Sequence, residues 1–246
     1  MPRIPMGPVD LDILDGKSVI SEIKQFIKSR NPSQIITLNS LMFNAAFDDP
    51  DCANAIKNAS LVVPDSIGIT WAAKFLSGSV AARYAGIDLL FDICREAESS
   101  GYRIFLLGAA HGIAQKAGEK LREKFPKLEI AGAHHGYLMK DELNCVIDII
   151  RKSRADILFV GMSIPRQEKW VARNLKTLGV PVVMGVGGSF DVISGFLKRA
   201  PRWMQDAGLE WVFRTLQQPW RFFRILNLPF FILNVIKLRL ITQIKK

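Results

Sequence analysis

Between Ile35 and Trp71 the chain reads strand, turn, helix, strand, turn, helix, and this unit restricts the fold more than any other stretch. Its apolar runs, Ile35-Ile36-Thr37-Leu38 and Leu61-Val62-Val63, are short and rich in β-branched residues, as buried strands are. Strands that alternate with helices predict a parallel sheet. Each run ends in small polar residues: Thr37 and Asn39 after the first, Asp65 and Ser66 after the second. In an open parallel sheet these positions lie at the carboxyl ends of the strands, where ligands bind. Asp65 follows Val62-Val63-Pro64, so an apolar strand lies behind it and a crevice in front, a setting for a general base. The local alternative is that Asp65, ahead of Ser66-Ile67-Gly68-Ile69, caps a helix.

The alternation continues along the chain. Residues 1–17 read as an irregular lead-in or a short hairpin. Residues 18–29 carry Val19, Ile20, Ile23, Phe26 and Ile27 at amphipathic-helix spacing, ended by Asn31-Pro32. Helices are expected over 87–99, 113–125, 141–153 and 167–178, and strands over 103–107, 128–131, 156–160 and 180–186. The pattern predicts an α/β fold, a mostly parallel sheet with helices on both faces. Asp48-Asp49-Pro50-Asp51 resembles an Asp-X-Asp metal motif, but Pro50 suits a first helical turn with Asp49 as its cap.

Near Gly195 the pattern changes, which divides the chain into an α/β domain over 1–195, which carries the candidate base, and an appendage over 196–246. Lys198-Arg199-Ala200-Pro201-Arg202-Trp203 is a basic, proline-broken link. Short helices are expected over 209–218 and 220–226, separated by Pro219, with a last segment over 230–244. The net charge of +10 is concentrated here: no acidic residue follows Glu210, and Arg214, Arg221, Arg224, Lys237, Arg239, Lys245 and Lys246 do. The apolar run 225–236 is shorter than the roughly 20 residues a spanning helix needs. Interleaved aromatic and basic residues suit an anionic membrane surface. The alternative is that these apolar residues pack back on the domain. Three scattered cysteines give no disulfide framework and no metal spacing, which suits a reducing cytosol, and the N-terminus shows no signal-peptide run.

Several strand-end turns bring polar residues to one edge. Gly185-Val186-Gly187-Gly188-Ser189-Phe190-Asp191 offers glycines and backbone N–H groups to a phosphate. It is neither a G-X-G-X-X-G nor a Walker loop, which counts against a dinucleotide-dependent oxidoreductase or an ATP site. Gln167, at a helix start, can donate to a sugar or phosphate or serve as a cap. Adjacent His134 and His135 are expected to point apart on a loop and to line substrate or serve structure.

Taken together, these residues resemble one family. Leu38-Asn39, Val63-Pro64-Asp65-X-Ile67-Gly68, Arg83-X-X-Gly86-X-Asp88, Leu107-Gly108, His135-Gly136-Tyr137, Pro165-Arg166-Gln167-Glu168-Lys169-Trp170 and the glycine turn 185–191 occur in order, followed by Lys198-Arg199-Ala200-Pro201 and Leu209-Glu210-Trp211. The set resembles the WecG/TagA/CpsF glycosyltransferases of bacterial envelope biosynthesis. The resemblance implies a Rossmann-like domain with a C-terminal appendage, working as a peripheral enzyme at the cytoplasmic face of the membrane. It implies transfer of N-acetylmannosamine from UDP to N-acetylglucosamine on a polyprenyl diphosphate, for wall teichoic acid. The uronic acid form of the donor is the alternative within the family. Inversion at the sugar then requires one base, for which Asp65 fits, with Thr37 and Asn39 holding hydroxyls. Arg83, Gln167, Gly187, Gly188 and the tail arginines Arg214, Arg221 and Arg224 are candidates for holding the diphosphates, without metal or cofactor. Tyr137 is a candidate to stack on uracil and Asp191 to accept from ribose or base. Where the family often has a second carboxylate, two residues after the strand-end Asn, this chain has Leu41. A homo-oligomer is compatible with the pattern, and nucleic acid is not an expected partner. The rival from another class is a non-catalytic module that binds nucleotides or polyanions through its basic tail.

Overall fold

The computed structural model describes residues 3–137 and 142–244, and for Arg221, Arg224 and residues 242–244 only the backbone. A hairpin of β1 (Arg3–Met6) and β2 (Val9–Asp12) leads into α1 (Gly16–Ser29). The unit predicted first follows as β3 (Ser33–Leu38), α2 (Ser40–Asp48), α3 (Pro50–Lys57), β4 (Leu61–Pro64) and α4 (Ile67–Ser77). Then come α5 (Gly86–Ser100), β5 (Arg103–Gly108), α6 (Ile113–Lys124), β6 (Glu129–His134), α7 (Glu142–Ser153), β7 (Ile157–Gly161), α8 (Arg166–Leu178), β8 (Val182–Gly185) and α9 (Ser189–Ile193). The helix expected from Asp141 is described from Glu142 onward; Asp141 itself lies outside the described residues.

Six strands form one parallel sheet in the order β4-β3-β8-β7-β5-β6. Side chains alternate between its two faces. Ile35, Val63, Leu106, Phe159 and Met184 join α1, α5 and α6 in one apolar layer. Ile36, Leu38 and Val62 pack under the hairpin, α2, α3 and α4, while Leu107, Leu158 and Val160 pack under α7 and α8. From β3 the chain steps outward to β4, and β8 returns to lie on β3's other side. The helices after these two neighbours leave toward opposite faces: Phe43 of α2 belongs to one layer and Phe190 of α9 to the other. That divergence opens a crevice at the carboxyl ends of β3 and β8.

The hairpin closes the exposed edge of β4. Buried Asp12 takes two hydrogen bonds of 2.8 Å from Arg3 and one of 2.8 Å from the Val62 N–H. An edge N–H is thereby satisfied and withdrawn from pairing with other chains.

Beyond Gly195 lie α10 (Arg202–Asp206), α11 (Glu210–Gln217), a 3₁₀ turn at Pro219–Arg221, α12 (Phe222–Ile225) and α13 (Asn227–Ile244). The last helix lies across α2 and α4. Phe231 and Val235 are fully buried in the same layer as Phe43, and the Phe231 and Phe43 rings meet edge-on at 5.2 Å. Asn44 donates to the Asn227 carbonyl at 2.7 Å and accepts from the Asn234 side chain at 3.3 Å. The opposite face is apolar as well, with Phe230 and Leu233 each 61% exposed. So α13 packs back on the domain along one stripe and presents a second apolar stripe to its surroundings. No described helix is long and apolar enough to cross a membrane.

Candidate active site

The crevice is a cleft of about 530 Å³, roofed by α11 and the start of α13. Its floor is made of strand ends: Thr37 and Asn39 after β3, Asp65 after β4, and the glycine turn after β8. Arg214, Trp211 and Thr215 enter from α11. The structure thus gathers Thr37, Asn39, Asp65, Arg83, Tyr137, Gln167, Gly187, Gly188, Asp191 and Arg214 around one cavity. Arg221 lies in the 3₁₀ turn and Arg224 on α12, but their side chains fall outside the described residues.

Asp65 does not cap α4; Ser66 does, accepting from the Ile69 N–H at 3.4 Å. The Asp65 carboxylate instead reaches α5, where Oδ1 accepts the Gly86 N–H at 2.6 Å. Residue 85 is alanine and offers no cap of its own, so a carboxylate from a neighbouring loop satisfies this helix start. Gly86 sits close against Thr37, where a Cβ would lie 3.0 Å from the hydroxyl and press that side chain aside. Asp65 keeps a partial opening onto the cleft, yet protein encloses the carboxyl closely. Desolvation dominates and raises its pKa; the Gly86 N–H and the charges of Arg214 and Arg83 pull it back, and Glu210 opposes them. A carboxylate with one oxygen anchored, and basicity raised by burial, can take a proton from a hydroxyl in the cleft.

Arg83 is a cross-brace. It donates to the Asp65 carbonyl from Nε, to the Gln205 carbonyl from Nη1 and to Glu210 Oε2 from Nη2, each at 2.9 Å. Arg199 makes a bidentate pair with Asp88 at 2.7 and 2.8 Å, and its Nε lies 3.6 Å from Glu210 Oε1. Glu210, the last acidic residue of the chain, therefore fastens α11 beside the Asp65 loop. Its role was not legible in the sequence; the signal was a lone carboxylate heading a cationic tail.

Two other predicted ligands are engaged inside the protein. Asn39 caps α2, its Oδ1 accepting the Leu41 and Met42 N–H groups at 3.1 Å each, so only its amide N–H groups face a ligand's demand. Gln167 is buried: Oε1 accepts from Met162 N at 3.1 Å and Gly187 N at 2.9 Å, and Nε2 donates to Glu168 Oε1 at 2.8 Å. The Gly187 N–H is thereby used, the Val186 N–H donates to the Val160 carbonyl of β7, and the Ser189 N–H donates to the Val186 carbonyl within the turn. This glycine turn gives the cleft its shape more than it gives phosphate donors. Tyr137 stands at the mouth, 67% exposed, and Asp191 opens α9.

His134 and His135 do not point apart. The chain turns sharply after β6, and the His135 ring lies 4.3 Å from that of His134 and 3.7 Å from that of His111. Burial first, then the two neighbouring imidazoles, hold His135 below the usual histidine range. All three histidines of the chain meet here, yet among the described residues no group of His, Cys, Asp and Glu side chains is arranged to hold a metal ion. The Asp48–Asp51 segment is engaged elsewhere: Asp49 caps α3 and pairs with Lys169 at 2.6 Å, and Asp51 pairs with Arg173 at 2.6 Å.

The fold and site define an α/β enzyme with a partly desolvated carboxylate at its switch-point crevice and an arginine brought in by a C-terminal helix. Residues 4–245 match the glycosyl transferase WecG/TagA/CpsF family, and the chain belongs to that family of glycosyltransferases. It is 33% identical over 214 residues to the N-acetylglucosaminyldiphosphoundecaprenol N-acetyl-β-D-mannosaminyltransferase of Bacillus subtilis (strain 168), covering 87% of this chain and 83% of that one. The protein of the same name from Staphylococcus aureus (strain MW2) is 32% identical over 247 residues, covering 99% and 95%. That of Bacillus spizizenii is 33% identical over 230 residues, covering 92% and 89%.

Proposed function

We propose that this enzyme transfers N-acetylmannosamine from UDP to the N-acetylglucosamine of undecaprenyl-diphospho-N-acetylglucosamine, making the lipid-linked disaccharide on which wall teichoic acid is built. The observation that carries this reading is the anchored, desolvated Asp65 in a cleft faced by Arg214. Asp65 takes the proton of the acceptor hydroxyl, and that oxygen attacks the anomeric carbon from the side opposite UDP. The bond from anomeric carbon to phosphate oxygen breaks, and its electron pair leaves with the β-phosphate. Inversion follows from the single displacement. Arg214 supplies positive charge where negative charge develops. Arg221 and Arg224, from the same appendage, are assigned to the diphosphates. Thr37 and the Asn39 amide hold sugar hydroxyls, Tyr137 faces the base and Asp191 the ribose. The reaction is proposed to need no metal, a reading supported by the engagement of Asp49 and Asp51 in capping and ion pairs away from the cleft.

Residues 1–195 carry the sheet and base, and residues 196–246 bring the enzyme to the cytoplasmic face of the membrane. Support comes from the exposed Trp203, Trp220, Phe223, Phe230 and Leu233 in a segment rich in arginine and lysine. The test is UDP release from UDP-N-acetylmannosamine with a short-chain polyprenyl-diphospho-N-acetylglucosamine acceptor and EDTA, for wild type and Asp65→Asn. Acceptor-dependent release that persists in EDTA and collapses in the variant supports the donor, the base and metal independence. No release by the wild type refutes the assigned donor, and release unchanged by Asp65→Asn refutes the base.

A further inference from the structure

Beneath the glycine turn lies a carboxyl group that the reaction as derived does not use. Glu168, the third residue of α8, is 2% exposed. Its Oε1 accepts the Gln167 amide at 2.8 Å, and its Oε2 is buried without a hydrogen-bond partner among the described residues. The cation next in sequence, Lys169, is turned away to Asp49 at 2.6 Å. From α3 the buried Cys52 thiol feels Glu168, and its pKa is pushed up to about 12, chiefly by burial. From β3, Gln34 donates to the Glu168 main-chain carbonyl at 3.2 Å and not to the carboxyl, whose pKa is lowered only by its own backbone N–H and the Gln167 amide, against a larger effect of burial. The indole N–H of Trp170 is also buried and unpartnered on the same helix.

The hydrogen bonds around Gln167 have only one consistent direction. Its oxygen is occupied by two backbone N–H groups, from the β7–α8 turn and from the glycine turn, so its nitrogen must donate. Glu168 is the acceptor that fixes the amide in that orientation. The fit is close: a Cβ on Gly185 would stand 2.1 Å from the Gln167 nitrogen.

We propose that Glu168 is a positioning residue for donor binding: acting through the Gln167 amide, it sets the Met162 and Gly187 backbone that forms the cleft floor. The inference rests on the nucleotide-sugar reading in one respect, that a diphosphate binds above this floor. Burial raises the Glu168 pKa to about 7, so the carboxyl is largely protonated at pH 6 and ionised at pH 8. Ionisation places an unpaired negative charge under a site that receives an anionic donor. Donor binding should therefore weaken as the pH rises through 7.

The test compares wild type, Glu168→Gln and Glu168→Ala between pH 6 and pH 8.5, with UDP binding by calorimetry and amide exchange at Met162 and Gly187. Wild type should lose UDP affinity about 3- to 10-fold across this range, whereas Glu168→Gln, neutral throughout, should keep its pH 6 affinity. Glu168→Ala should bind UDP weakly at every pH, and the two amides should exchange at least 10-fold faster than in Glu168→Gln. Should the alanine variant not fold, the wild-type and glutamine pH profiles decide. The same fall in UDP affinity with pH in wild type and Glu168→Gln would overturn the proposal. A wild type that binds no UDP counts against the donor reading, and the exchange of the two amides still decides the positioning role. Equal protection of Met162 and Gly187 in all three proteins overturns that role.

Discussion

Truncation of Phe231 to alanine should loosen α13 without unfolding the sheet. The ring is 1% exposed, set edge-on to Phe43 at 5.2 Å and tilted against Trp71 at 6.4 Å. Burial of Phe231 and Val235 contributes roughly 2–3 kcal/mol each to docking, about 5 kcal/mol together. Truncating a fully buried phenylalanine costs about 3–5 kcal/mol, which removes most of that stabilisation. The ties that remain include buried Val235, Leu238 packed on the same layer, the part-buried Asn44 bonds to Asn227 and Asn234, and the Arg239 bond to the Leu76 carbonyl, so α13 should open more often rather than detach. Native-state hydrogen exchange reads the result directly. A loss of about 3 kcal/mol should speed exchange of the α13 amides on the order of 100-fold, since 1.4 kcal/mol is a factor of ten. Amides of β3 and β7 should keep their protection. Turnover with a membrane-embedded acceptor should fall, because α11 and α13 roof the cleft. Unchanged exchange in α13 would refute the energetic argument, and equal loss of protection in β3 would refute the separability of the appendage.

Two further predictions concern the cleft. Desolvation raises the Asp65 pKa, and a base must be ionised to act, so wild-type kcat/KM should decline as pH falls through a value above the ordinary aspartate pKa. Asp65→Asn should lower kcat/KM by about 10²–10⁴ and abolish that acid limb; a variant retaining the limb would show that another group titrates. Gly185→Ala should displace Gln167, because the new methyl would stand 2.1 Å from its amide nitrogen. Overpacking of this kind costs about 1–3 kcal/mol, and a melting temperature and UDP affinity both equal to wild type would contradict the Gln167 geometry.

The site joins two requirements that pull against each other. A base needs desolvation to raise its basicity, and a diphosphate needs positive charge close by. In the proposed reaction Asp65 and Arg214 are assigned these two parts, an assignment supported by the cation entering on α11 while the carboxylate stays anchored to the start of α5. Arg83 and Glu210 tie the two elements together, so the docking of the appendage and the position of the Asp65 loop are mechanically coupled.

The strands were readable from residue types alone. Ile35-Ile36 and Leu61-Val62-Val63 are apolar on both faces, as strands of a helix-covered parallel sheet are, and the place of Asp65 follows from strand polarity, since ligands gather at carboxyl ends. The Asp49 cap of α3 was legible because it is local, fixed by neighbours within a few residues; the N-terminal hairpin was one of two readings, the other an irregular lead-in, and the structure shows the hairpin. What only the tertiary structure decided is long-range. Asp65 and Gly86 are 21 residues apart, Arg83 and Glu210 are 127 apart, and Gln167 and Gly187 are 20 apart. No periodicity encodes such pairs, so residue order left Gln167 open between ligand and cap without showing that it braces the glycine turn, and it marked Glu210 only as the last acid before a cationic tail, not as the partner of Arg83. The histidines show the same limit in a local setting, because the His135 ring lies against both His134 and His111, which comes from the loop after another strand. The tail was legible as apolar and basic. That Phe231 and Val235 turn inward while Phe230 and Leu233 turn outward was decided by the surface of α2 and α4, which a helix apolar all round cannot specify by itself.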